Sequence, residues 1–432
     1  MGDGLRSASP FKIQNFWTVA APAKTLCLLD GTYQSADDMI APPGGLSGTA
    51  GNPITIRCLN EGQCLIDGQF ARSPVSLGGN DWLVLEGFNA KNSSGSVVFL
   101  SGSHNNIIRR VIAWDASICR NSHVWQIASS SNNLFEDIAG FGTARKIFEP
   151  VSNSNNNTVR RAWFRWEGHI REGNKIGGTV IYNSSGTVFE NVLSTWSGES
   201  MPEEYDLHEG NCVAKTPVRR LTNFHVQQAK GLFSVDRHDT NKCVNARVLG
   251  SLAYVNAGDR LPAGPPLPIV YLHGLSCFHI RHSMVFISPG NPRFNNHVGF
   301  QLQRDPRSGG VPMTDISAHN ITSVRGMDGD VFHSDWDIQN ISAGTSLAAV
   351  AYPWTTTATR ANLCKRWVNG VVTNDPLWPW PMNGRIKAAT ASAGAYAGPC
   401  PTCLGGRATR TATDVTAQVE TLLGTIPTAC RN

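Results

Sequence analysis

The sequence predicts an all-β protein, a right-handed parallel β-helix solenoid with an N-terminal and a C-terminal cap. Three observations predict it: a charge-poor composition rich in turn formers, a weak internal repeat the length of one coil, and no helical periodicity between the copies. Of 432 residues, 41% are hydrophobic and only 16% charged, against about 25% charged in an average soluble protein. Asn, Ser, Thr, 42 Gly and 24 Pro fill the difference, and these suit strands and turns better than helices.

The repeat is carried by openers at Asn106, Asn133, Asn157, Gly186, Thr216 and Asn241, followed by IIRRVIA, LFEDIAG, TVRRAWF, TVFENVL, PVRRLTN and KCVNARV. Apolar or small residues recur mainly at the second, fifth and seventh places after the opener. An earlier copy starts at Trp82 and later ones at Phe278 and Thr314. Steps of this size are too short for a βαβ unit with a real helix, and the Leu positions of leucine-rich repeats are missing. They fit one coil of a three-sided β-helix, in which equivalent positions stack. Ile108, Val111, Phe135, Ile138, Val159, Val188, Val218 and Cys243 are then expected inward. Asn at the openers tolerates a left-handed backbone and can hydrogen-bond to its copy one coil away.

The repeat divides the chain into residues 1–45, an N-terminal cap; 46–344, the β-helix; and 345–432, a C-terminal cap and tail. Solenoids need caps to cover exposed core and strand edges. The best helix candidate is 414–424, and Trp378 and Trp380 are expected to pin the cap.

Charge and cysteine bound the setting. A formal net charge of +5 without a basic run lacks the clustered footprint of a nucleic-acid binder and is compatible with an anionic polymer. No stretch reaches the roughly 18 apolar residues of a membrane span. Homo-oligomeric assembly is left open. The first residues lack the form of a secretory signal, which leaves an extracellular protein whose signal is gone, or a virion protein released by lysis. Among 11 Cys, Cys58 and Cys64 flank a turn and are the leading disulfide pair. Plain core burial is the alternative. Cys400 and Cys403 have the spacing of half a zinc site, with no second pair nearby.

Thr25 to Gln34 (TLCLLDGTYQ), followed by Pro53 to Gly68 (PITIRCLNEGQCLIDG), resembles the opening of right-handed β-helix proteins of the pectin-lyase-like superfamily. There an LxDGxY strand precedes an ITI strand and an IDG turn. Polysaccharide lyases of the chondroitinase B and alginate lyase group share this opening, as do phage tailspike-type β-helices. The resemblance spans about residues 20–340. A weaker similarity lies at Arg237-His238, with Lys215 22 residues before Arg237; those lyases carry Arg-His-Gly with a catalytic Lys upstream. Asp239 stands in place of the Gly, and Glu203, Glu204 and Glu209 do not keep the spacing of the family's calcium ligands.

The resemblance implies an acidic polysaccharide as partner and β-elimination as chemistry. Lys215 would take the C5 proton, Arg237 hold the developing charge with help from His238, and calcium on Glu203, Glu204 and Glu209 neutralise the uronate carboxylate. Asp236 and Asp239 would contact substrate; as paired carboxylates they also suit hydrolysis, although the motifs of polygalacturonases are absent. Trp163, Trp166 and Trp196, with Trp114 and Trp125, have two expected roles: rings for sugars to stack on, or packing between coils. The alternative function is a non-catalytic virion or surface structural protein.

Overall fold

The computed structural model describes residues 12–118, 120–169, 177–200, 233–236, 242–256, 268–273, 275–288, 290–291, 298–303, 314–324, 327–329, 337–344, 363–398 and 410–432. It is a right-handed parallel β-helix. Each coil has three faces, as one circuit illustrates. The strand Val98–Ser101 lies on face one, Ile107–Arg109 on face two and Ile112–Trp114 on face three. Among the described residues face one is a sheet of nine strands, and faces two and three together form one of eighteen. All neighbouring strands in both sheets pair in parallel, coil upon coil.

Two corners are short and repeat closely. Faces two and three meet at a single left-handed residue, occupied in turn by Gly87, Arg110, Asp137, Arg161, Asn191, Gly250 and His282. The corner between faces one and two carries the openers. Asn106, Asn133 and Asn157 turn inward and form a ladder: the Asn106 backbone N–H donates to Asn133 Oδ1 at 2.9 Å, and that of Asn133 donates to Asn157 Oδ1 at 3.0 Å. The left-handed residue is the one before each opener, Asn105, Asn132 and Asn156. The two roles expected of one asparagine are thus shared by two. A second inward ladder runs three residues earlier, where the N–H groups of Ser103, Ser130 and Ser154 donate to Ser130, Ser154 and Ser184 Oγ.

Ile108, Val111, Phe135, Ile138 and Val159 are fully buried in the main core, where a buried aliphatic or aromatic side chain contributes roughly 1.5–3 kcal/mol. Two inward expectations are corrected. Cys243 is exposed and bonded to Cys277 on the next coil, because Val244 takes the inward place. Val188 is buried on the outer side, against Leu249 and Trp367, because Phe189 faces the core. Val218 lies outside the described residues. Cys58 and Cys64 form the expected disulfide, with Cα atoms 5.8 Å apart.

The outer surface of face two bears a charge column. Arg57, Glu86, Arg109, Glu136, Arg160 and Glu190 stand in register on six successive strands. Arg109 lies 3.0 Å from Glu86 and Arg160 2.7 Å from Glu136. Face three is apolar outside as well as inside, with Trp114, Phe141, Trp163, Leu252, Tyr254 and Phe286 in an external stripe.

The C-terminal segment explains that stripe. It runs along the side of the solenoid, where the sequence suggests an end cap. A hairpin of Lys365–Val368 and Val371–Pro376 is followed by helices α1 (Asn383–Ser392) and α2 (Val415–Leu423), the second within a residue of its expected bounds. Trp378, Trp380, Ile386, Val415 and Val419 pack on the external stripe. The N–H of Trp367 donates to Asn191 Oδ1 at 2.7 Å, and Arg385 lies 2.9 Å from Glu61. Arg410 reaches Asp115 Oδ2 at 2.8 Å and Glu167 Oε2 at 2.5 Å. Cys364 and Cys430 close the segment on itself.

Candidate functional site

The third corner, from face three back to face one, is where coils differ. It spans residues 115–122 in one coil and 144–145 in the next. The strand Val188–Ser200 runs from face two onto face three, and the next described strand, Phe233–Asp236, lies on face one.

Beside the corner, two face-one strands depart from alternation. In His123–Ala128 both Val124 and Trp125 belong to the core, and in Lys146–Val151 both Ile147 and Phe148 do. Two consecutive inward residues bring the first and fourth positions to the same outer side. His123 and Gln126 therefore share it, as do Lys146 and Glu149, and register sets His123 beside Lys146 and Gln126 beside Glu149.

The result is an ionic cluster. Lys146 Nζ contacts Glu149 Oε1, and His123 Nε2 lies 2.9 Å from Glu149 Oε2. Lys146 Nζ also stands 5.5 Å from the centre of the Tyr182 ring, within cation–π range. Arg145 bonds Asn121, and His169 Nε2 is 3.0 Å from the carbonyl of Arg120. His123 is wholly buried, and Lys146 and Glu149 are each 3% exposed.

Electrostatics fixes the protonation states. Burial works against the charge of Glu149, but Lys146 and His123 outweigh it and hold the carboxyl far below the usual range. Burial lowers the His123 pKa, opposed by Glu149 and reinforced by Lys146 and Arg145. The imidazole is therefore neutral at pH 7. Nε2 faces the Glu149 carboxylate at 2.9 Å, yet neither ring nitrogen makes a well-directed hydrogen bond among the described residues. A neutral imidazole beside a carboxylate and an ammonium is an acid–base unit.

The residues expected from sequence divide into three groups. Asp236 ends its face-one strand, in register with Tyr182 and His273, two strands from Lys146–Val151. Lys215, Arg237, His238, Asp239, Glu203, Glu204 and Glu209 lie outside the described residues. Trp163, Trp166 and Trp196 are corrected as sugar platforms: at 0%, 0% and 2% exposure no ring face is open. Trp166 and Trp196 pack on each other in the core, 4.2 Å between centroids, and Trp163 lies under the C-terminal segment.

For calcium, the described residues offer no fit. Asp30, Cys58 and Cys64 are the one group there with ligand atoms close enough, and its two sulfurs are joined in a disulfide. The cluster escaped sequence reasoning because His123 lies one coil away from Lys146 and Glu149. The usable signal was ionic residues inside otherwise apolar face-one strings, HVWQI and KIFEP.

No known family model matches the chain, and no curated protein does. Among solved structures it is similar to a pectate lyase, at 12% identity over 83% of this chain and 81% of that one, with a TM-score of 0.47. It is also similar to an alginate lyase from a Paenibacillus species, at 13% identity over 76% and 95% of the two chains and a TM-score of 0.42. A rhamnogalacturonan lyase aligns at 13% identity over 79% and 84%, with a TM-score of 0.41. At this identity the likeness concerns the path of the chain.

Proposed function

We propose that this protein is an extracellular β-helix that binds an acidic polysaccharide along face one and cleaves it by β-elimination. The observation that carries the proposal is the His123–Lys146–Glu149 cluster on the outer side of that face, beside the corner between faces three and one. Ionic groups buried together cost stability, so they mark functional candidates. The three disulfides among the described residues favour an oxidising compartment.

Elimination at a uronate moves the C5 proton to a base, forms the C4–C5 double bond, and breaks the C4–O bond to the leaving sugar, whose oxygen gains a proton. Lys215 is the proposed base, with Arg237 and His238 stabilising the enolate-like charge and Asp236 and Asp239 binding the sugar. Calcium held by Glu203, Glu204 and Glu209 would supply neutralisation of the carboxylate. Buried as it is, the cluster would act from beneath the sugar-binding surface, holding the face-one strands in place at the corner.

Polygalacturonate, alginate and chondroitin sulfate, each incubated with the protein, test this through the ultraviolet absorbance of unsaturated product. Product is expected from at least one polymer, with Lys215→Ala lowering turnover at least ~100-fold and leaving affinity nearly intact. Absence of product from all three would end the lyase proposal.

A further inference from the structure

Face one carries a column of three outward residues, of which the proposed elimination leaves the first two unused. Phe99, Gln126 and Glu149 stand in register on three successive strands. The spacing of such strands, about 4.8 Å, is close to the length of one pyranose ring. A sugar chain lying along the solenoid axis would therefore meet one of these side chains per ring.

Each of the first two is built for contact. Phe99 is half-buried while Val98 and Leu100 on either side are in the core. Its register neighbour on the preceding coil is the small Ser76, and no aromatic partner covers the ring among the described residues. Gln126 is also half-buried, and its Oε1 accepts a hydrogen bond from Ser96 Oγ at 2.6 Å. That bond fixes the amide, so Nε2 carries two N–H groups with no acceptor among the described residues. The third position is ionic, the Glu149 carboxylate held by Lys146 and His123. Aromatic, donor and ion pair follow one another along the axis.

We propose that Phe99 and Gln126 determine specificity for consecutive rings of a uronate chain on face one. Phe99 stacks on one ring and Gln126 Nε2 donates to the carboxylate of the next. The assignment rests on the acidic-polysaccharide proposal and deepens it.

Calorimetric titration of uronate oligomers of graded length, cut from polygalacturonate and from alginate, decides it. Neutral cello-oligomers are the control. Phe99→Ala is expected to weaken binding of oligomers that span three coils by about tenfold, with no change for disaccharides. Phe99→Trp should restore affinity, which a structural defect would not allow. Gln126→Leu should weaken uronate oligomers and leave the cello-oligomers unaffected. Wild-type affinity in both Phe99→Ala and Gln126→Leu overturns the column while leaving the acidic-polysaccharide proposal standing. A wild type that binds no uronate oligomer overturns both.

Discussion

Asn133 is the place where the asparagine ladder can be broken most cleanly. Its Oδ1 accepts from the Asn106 N–H at 2.9 Å and from Asn106 Nδ2 at 3.1 Å. Its Nδ2 donates to the Ser103 carbonyl at 3.1 Å and to Asn157 Oδ1 at 3.0 Å. In Asn133→Ala two partners have somewhere else to turn. Asn106 Nδ2 keeps the Asn80 carbonyl, and Asn157 Oδ1 keeps the Asn133 N–H. The Asn106 N–H and the Ser103 carbonyl do not, and both residues are wholly buried. At about 1–3 kcal/mol for each orphaned buried group, the loss should be about 2–6 kcal/mol. Asn155→Ala is the control. Its Oδ1 accepts from Ser185 at a partly exposed position, where water can replace it at a cost under about 1 kcal/mol. Urea denaturation followed by tryptophan fluorescence measures both. Equal midpoints for the two variants would refute the view that the ladder is a stabilising spine.

Three further outcomes are expected. By loop-closure entropy, losing the Cys364–Cys430 bond, with 66 residues of separation, should cost about 4 kcal/mol, against about 2 kcal/mol for Cys58–Cys64, with a separation of 6; thermal melts of the serine variants check the order. Arg410→Ala removes the buried guanidinium that pairs with both Asp115 and Glu167, so about 3–5 kcal/mol should be lost, seen as faster proteolysis of the C-terminal segment; protection equal to wild type contradicts it. Acidification should destabilise in two stages, because the folded pKa values of His123 and Glu149 lie below their ordinary values of 6.5 and 4.5 and the unfolded chain binds more protons. Stability is full near neutrality, falls below about 6.5 and again below about 4.5, and Glu149→Gln should flatten the second stage; a melting temperature constant from neutral to acid pH sinks this.

The coil was legible because stacking forces like residues onto like positions, as the spaced openers Asn106, Asn133 and Asn157 show. Inward or outward direction was less legible. Cys243 and Val188 sit one residue from the true inward position, and a period of two is easily misphased by a bulge or a one-residue bend. Trp163 was ambiguous because its face is covered by residues more than two hundred positions later. The C-terminal segment itself read as an end cap because its Trp378 and Trp380 show that it packs, without showing on what. Lys146 and Glu149 are three residues apart on one strand, but only the register between coils brings His123 to them.

The charge column on face two sets a rule for how such a solenoid can change length. Each member from Glu86 to Arg160 lies between two residues of opposite sign. Deleting or duplicating one coil would set Arg against Arg or Glu against Glu on facing strands, where like charges repel. Removing or adding two coils restores the alternation. The surface therefore has twice the period of the backbone, and over this stretch growth or shrinkage by an even number of coils is the change that preserves charge parity.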